Sequence, residues 1–199
     1  MTIADLLNAR ITVLTIHADG TTAALTPGPS AILSGSFNPL HAGHRGLIAA
    51  GAACCGLPAA FELAVVNADK GTLGGAEIAR RAAQFAGWAT LVLSREPLFS
   101  AKAALYPGSC FVLGYDTAVR LLNPDYYGGT SAMFTAFAHV RHYGCRFLVA
   151  GRLNAGVFCT LADIALPQEV SDLFGAIPAA LFRADISSSQ LRARLSDGP

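Results

Sequence analysis

Ala31-Ile-Leu-Ser-Gly-Ser-Phe-Asn-Pro-Leu-His-Ala-Gly-His44 is the stretch on which the reading of this chain turns. It opens on an apolar run that predicts a buried strand over 31–37, and a helical pattern over 43–55 follows it. Two histidines, His41 and His44, thus stand where a strand hands over to a helix. In an open α/β sheet that handover is where ligands bind. A helix N-terminus also presents free N–H groups and partial positive charge, which suits phosphate.

The pattern repeats outward from there. Continuously apolar, non-alternating runs predict further buried strands over 61–67, 89–95, 110–116 and 146–150, with a weaker one over 179–184. Helical spacing marks 75–86, 99–105, 117–122, 130–142 and 188–195. In 75–86, Ile78, Ala82, Phe85 and Ala86 share one face, with Glu77, Arg80, Arg81 and Gln84 elsewhere. Alternation of strand and helix predicts an α/β fold: a Rossmann-like, doubly wound parallel sheet of five to six strands. Residues 1–28 differ. Ile11 to Ile16, then Asp19-Gly20, then Thr21 to Leu25 predict a small N-terminal β-hairpin, and Thr26-Pro-Gly-Pro29 a linker. The expected division is 1–28 as the hairpin extension and 29–199 as the main domain.

Bulk properties narrow the class. The 199 residues are 53 % apolar and 14 % charged, with a formal net charge of +1. That is a globular composition of one-domain size, without the basic footprint of a nucleic-acid binder. The most apolar stretch, 47–61, is too short to span a bilayer and is broken by Gly51, Gly56 and Pro58. The first residues carry no basic segment leading into a long apolar one, so no signal peptide is expected. Cys54, Cys55, Cys110, Cys145 and Cys159 form no C-x-x-C pair and are odd in number. They read as small core residues of a protein in a reducing, cytoplasmic setting. His139-Val-Arg-His142 with Cys145 has metal-compatible spacing, but it lies on an amphipathic pattern without an acidic partner, and no protein-held metal is expected.

Taken singly, the residues of the first motif suit a phosphate site. Gly35 lets a ligand approach the backbone, and Asn38-Pro39 imposes a turn before the helix. His41 and His44, three apart, can share a face, which Gly43 leaves open. Paired imidazoles can donate to phosphate oxygens, most strongly when protonated. The competing reading is a surface turn with two solvated histidines. Near the C-terminus, Ser188 and Ser189 are N-cap candidates, with Arg192 one turn on and able to fork onto phosphate; an ordinary helix cap is the alternative there. Lys70 follows a strand end and can neutralise phosphate. Arg152 follows the strand over 146–150 and can bracket a base. Asp116 either faces a ligand or caps the helix over 117–122.

The decapeptide from Gly35 to His44 resembles the signature of the HxGH nucleotidyltransferase superfamily, of cytidylyltransferase-like fold. The most similar version is that of the nicotinate/nicotinamide mononucleotide adenylyltransferases, G-[GS]-[ST]-F-[DN]-P-x-H-x-G-H, whose last ten positions the decapeptide fills. Ile186-Ser-Ser-Ser-Gln-Leu-Arg192 resembles the same family's I-S-S-[ST]-x-[IL]-R, and Phe111-Val-Leu-Gly-Tyr-Asp116 its strand ending in G-x-D. The resemblance covers about residues 31–195. It implies transfer of AMP from ATP to the phosphate of nicotinamide or nicotinate mononucleotide, a step of NAD biosynthesis, with release of pyrophosphate. His41, His44, Lys70 and Arg192 would be catalytic. Gly35, Ser36, Phe37, Asn38, Gly43, Gly114, Asp116, Arg152, Ser188 and Ser189 would bind the nucleotide, with Asp116 on the adenosine ribose. Mg²⁺ would enter through the ATP phosphates, mostly through water. The partners implied are ATP and a mononucleotide, with no nucleic acid and no membrane, and homo-oligomerisation is left open. Leu40 and Ser189 depart from the commoner family residues, and the tryptophan-bearing substrate loop of bacterial nicotinate-specific members has no counterpart after Asp116. The acceptor therefore stays open: phosphopantetheine with ATP, or an alcohol phosphate with CTP, are alternatives, as is a nucleotide sensor without turnover.

Overall fold

The apolar runs become strands of one sheet. The computed structural model describes residues 1–67, 71–154 and 156–183. In chain order the elements are α1 (Ile3–Leu7), β1 (Val13–Ile16), β2 (Thr22–Ala23), β3 (Ala31–Ser34), α2 (Ala42–Cys55), β4 (Ala59–Ala64), β5 (Val66–Asn67), β6 (Gly71–Thr72), α3 (Gly75–Ala82), β7 (Leu91–Ser94), α4 (Phe99–Leu105), β8 (Cys110–Gly114), α5 (Tyr115–Leu121), α6 (Thr130–His142), β9 (Arg146–Ala150), β10 (Arg152–Asn154), β11 (Val157–Cys159) and β12 (Phe174–Ile177).

The molecule is α/β, with a mostly parallel central sheet of order β12-β9-β8-β3-β4-β7-β1-β2. The strands from β12 to β7 pair in parallel; β1 pairs antiparallel with both β7 and β2. Among the described residues, six strands of this sheet run parallel, and the other two, β1 and β2, are those of the N-terminal hairpin. The N-terminal hairpin, expected as a separate extension, is the edge of the same sheet. Its strand β1 satisfies backbone groups that β7 would otherwise leave open. Leu6 and Leu14 bring this segment into the apolar core as well.

Other boundaries shift for local reasons. The strand expected over 179–184 is replaced by β12 at Phe174–Ile177. Phe174 stacks on Phe147 at 5.0 Å, and Pro178 then starts a turn whose carbonyl accepts from Leu181 and Phe182. The strand over 31–37 stops at Ser34, because the chain turns sharply at Phe37, which has a positive φ of 46°. The strand over 110–116 stops at Gly114, and α5 starts at once, so Asp116 lies in the first turn of a helix. The expected helix over 188–195 lies outside the described residues.

Both faces of the sheet are covered. On one, α1, α2 and α3 bury Leu6, Ile48 and Ile78 against Leu33, Phe61 and Leu63. On the other, α4, α5 and α6 bury Ala103, Ala118 and Phe137 against Ile32, Phe111 and Phe147. Helix α2 lies so close to the sheet that a Cβ at Gly51 would meet both methyl groups of Val112. Strand order reverses between β3 and β8. These two stay in register only at Ala31↔Cys110 and Ile32↔Phe111, whereas β8 and β9 pair over five positions. Their carboxyl ends thus part company and open a crevice. No helix among the described residues is long and apolar enough to cross a membrane.

Candidate functional site

The crevice at the carboxyl ends of β3 and β8 is a cleft of about 240 Å³. It stands where strand order reverses, the position at which open α/β sheets take ligands.

His41 is the N-cap residue of α2, in extended backbone. Its backbone N–H donates to His44 Nδ1 at 3.3 Å, and the two imidazoles stack with centroids 3.8 Å apart. Gly43 makes this possible: a Cβ there would lie 3.0 Å from the His41 ring. The glycine that was expected to keep the face open does so for its neighbour's imidazole. Because Nδ1 of His44 accepts, its neutral ring carries the proton on Nε2. Burial, and secondarily the neighbouring His41, lower the His44 pKa from 6.5 to about 4. At neutral pH His44 is therefore an uncharged donor.

Gly35 and Phe37 have packing roles of their own. A Cβ at Gly35 would lie 2.7 Å from Phe37 Cε1, so the space it leaves belongs to the Phe37 ring. That ring is buried and meets Phe85, His44 and Phe61 edge-on, with centroids 5.1, 5.3 and 5.6 Å away. It forms the wall against which His44 rests.

Ser36 and Asn38 are held from behind. Arg81 Nη1 donates to the Ser36 carbonyl at 2.9 Å, and Arg80 donates to Asn38 Oδ1 at 2.7 Å. Glu77 accepts from both guanidiniums at 2.7 Å, and these bonds hold its carboxyl down to about 2. Gln84 donates to the Phe37 carbonyl at 2.9 Å and accepts from the Leu40 N–H at 2.8 Å. The polar residues of α3 and the turn after it thus form a clamp on the loop over 35–40.

Of the residues selected from sequence, the cleft lining brings together His41, Gly43, His44, Gly114, Asp116 and Arg152. Gly35, Ser36, Phe37 and Asn38 support it without lining it. Lys70, Ser188, Ser189 and Arg192 lie outside the described residues. Asp116 and Arg152, expected to take the ribose and bracket the base, form an ion pair with each other; a ligand that uses either must compete with that pair. Among the described residues, Asp116 is the only carboxylate of the lining, and no group of three His, Cys, Asp or Glu is assembled to hold a metal ion. Cys145, considered with His139 and His142, turns inward and donates to the Tyr106 carbonyl at 3.1 Å.

Sequence reasoning missed three contributors: Ser34, the clamp on α3, and Phe182, which lines the cleft and packs where a Cβ at Gly46 would stand. Gly46 was the one available signal, a glycine inside an otherwise helical pattern. No family model matches the chain, and no curated protein matches it.

Proposed function

We propose that this chain is a nucleotidyltransferase with a Rossmann-like, doubly wound core. It moves AMP from ATP to the 5′-phosphate of nicotinamide or nicotinate mononucleotide. One observation carries the reading: the stacked His41 and His44 at the N-terminus of α2, opening on the cleft where strand order reverses.

A phosphate oxygen of the acceptor attacks the α-phosphorus of ATP. The bond from that phosphorus to the β-phosphate bridging oxygen breaks, and pyrophosphate leaves with the electron pair. No protein nucleophile is required, so the chain supplies positioning and charge stabilisation. The Nε2–H of His44 and the imidazole of His41 face charge that grows on the α- and β-phosphates. The first amides of α2 add fixed dipoles on the same side. Phe37 and the Gln84–Arg81–Arg80 clamp hold that geometry before substrate arrives. Lys70, Ser188, Ser189 and Arg192 are assigned to the remaining phosphate oxygens on their resemblance alone. Mg²⁺ travels with the triphosphate as part of the substrate.

The test is pyrophosphate release with Mg²⁺ and ATP or CTP, against nicotinamide mononucleotide, nicotinate mononucleotide and phosphopantetheine in turn. Release with ATP and either pyridine mononucleotide, cut roughly 10²–10³-fold in His44→Ala, is expected. Release only with another acceptor moves the reading to that acceptor. ATP binding with no release across the panel replaces it with a sensor.

A further inference from the structure

Behind the cleft lies a buried charged group that the reaction above does not use. Lys102 of α4 donates to Glu62 Oε2 at 2.7 Å and to Ser34 Oγ at 3.1 Å. Ser94 donates its hydroxyl to the other Glu62 oxygen. The Lys102 and Glu62 side chains are 5 % and 0 % exposed. Ser34 and Glu62 are register partners on neighbouring parallel strands, so one helix residue ties together the end of β3 and the middle of β4. The ammonium and carboxylate cancel, and the network presents no net charge to the cleft.

It does present a direction. Lysine has three donors and no acceptor, so in the Lys102–Ser34 bond the hydroxyl oxygen must accept. The hydroxyl hydrogen of Ser34 is left over, and the Ser34 side chain makes no other hydrogen bond to the described residues. Ser34 is the last residue of β3, is half-buried, and lines the cleft together with His44. The bond from the ammonium also polarises the hydroxyl and strengthens it as a donor. His44, whose Nε2 carries its proton, and the start of α2 line the same cleft. A hydroxyl and an imidazole that both donate suit an oxygen anion that has no proton to give.

We propose that Ser34 is a further binding residue of this cleft, donating its hydroxyl to a nucleotide phosphate oxygen, and that Lys102, anchored by Glu62, is the positioning residue that aims it. This rests on the nucleotidyl-transfer reading.

The experiment is calorimetric titration of the full chain with MgATP, alongside pyrophosphate release. The variants are Ser34→Ala, Ser34→Thr, the pair Glu62→Gln/Lys102→Met, and all three changes Ser34→Ala/Glu62→Gln/Lys102→Met. Circular dichroism confirms that each is folded. Ser34→Ala should weaken MgATP binding roughly tenfold or more, the size expected for a bond to a charged acceptor, and Ser34→Thr should restore it. The paired variant should cost little further affinity once Ser34 is Ala, because both changes remove one directed donor. If Ser34→Ala binds MgATP like the unaltered chain while transfer activity is present, Ser34 is no ligand contact and this inference falls alone. If the two losses add in full, Lys102 does not act through Ser34. If the unaltered chain neither binds MgATP nor releases pyrophosphate, the functional reading and this inference fall together.

Discussion

Gln84 donates its side-chain amide to the carbonyl oxygen of Phe37 at 2.9 Å, across 47 positions of sequence. The same side chain accepts from Leu40, so a single residue closes both sides of the turn that delivers His41. Gln84→Ala leaves a part-buried carbonyl and a part-buried N–H without partners. A loss of about 1–3 kcal/mol in unfolding free energy is expected, read from urea denaturation. MgATP affinity should fall with it, because the loop loses its fixed shape.

His44 makes stability depend on pH. Its pKa is about 4 in the folded chain against an ordinary 6.5, so on acidification the unfolded chain takes up the proton first. The stabilisation is complete above about pH 6.5 and is lost as the pH falls toward 4. The urea midpoint should decline across that window, and His44→Asn should flatten the decline. A bound phosphate opposes the shift, so MgATP binding near pH 5.5 should be accompanied by proton uptake, seen as a buffer-dependent binding enthalpy.

The seating of α2 on the sheet depends on the missing side chain at Gly51. Gly51→Ala places a methyl group against Val112, and this overpacking should cost about 1–3 kcal/mol despite the better helix propensity of alanine. Val112→Ala should relieve it. In the double variant, the summed loss should be smaller than that of the two single changes by about 0.5–3 kcal/mol, measured as a double-mutant cycle.

The buried pair of Lys102 and Glu62 gives a contrast of the same kind. Lys102→Met alone leaves a carboxylate in the core and should cost about 3–5 kcal/mol. Adding Glu62→Gln removes the stranded charge while keeping a partner for Ser94, and the double variant should be more stable than Lys102→Met. Thermal melts of the two variants decide the order.

Local patterns made much of this legible. The helices over 99–105 and 130–142 end where their apolar spacing ends, and the strand over 146–150 coincides with its apolar run. The two histidines stand at a helix start because Pro39, His41 and Gly43 decide the local backbone. The polar residues Arg80, Arg81 and Gln84 gave no hint of their role. On a helix surface they look like any solvated face, and their partners at Ser36, Phe37, Asn38 and Leu40 lie more than 40 positions away. Glu62 was hidden for the opposite reason: one carboxylate in an apolar run reads as noise until Lys102 is brought against it.

Alternation of apolar runs with helical spacing determined the α/β class and the place of the histidines, because periodicity and turn chemistry act between near neighbours. Only the tertiary structure decided that the N-terminal hairpin extends the main sheet, that Gly35 makes room for Phe37, and that Asp116 and Arg152 pair. It also set the neutral state of His44 and the aim of Ser34. Each of these depends on side chains distant in the chain meeting in a buried or half-buried space, where desolvation and packing outweigh anything a residue's own neighbours prescribe.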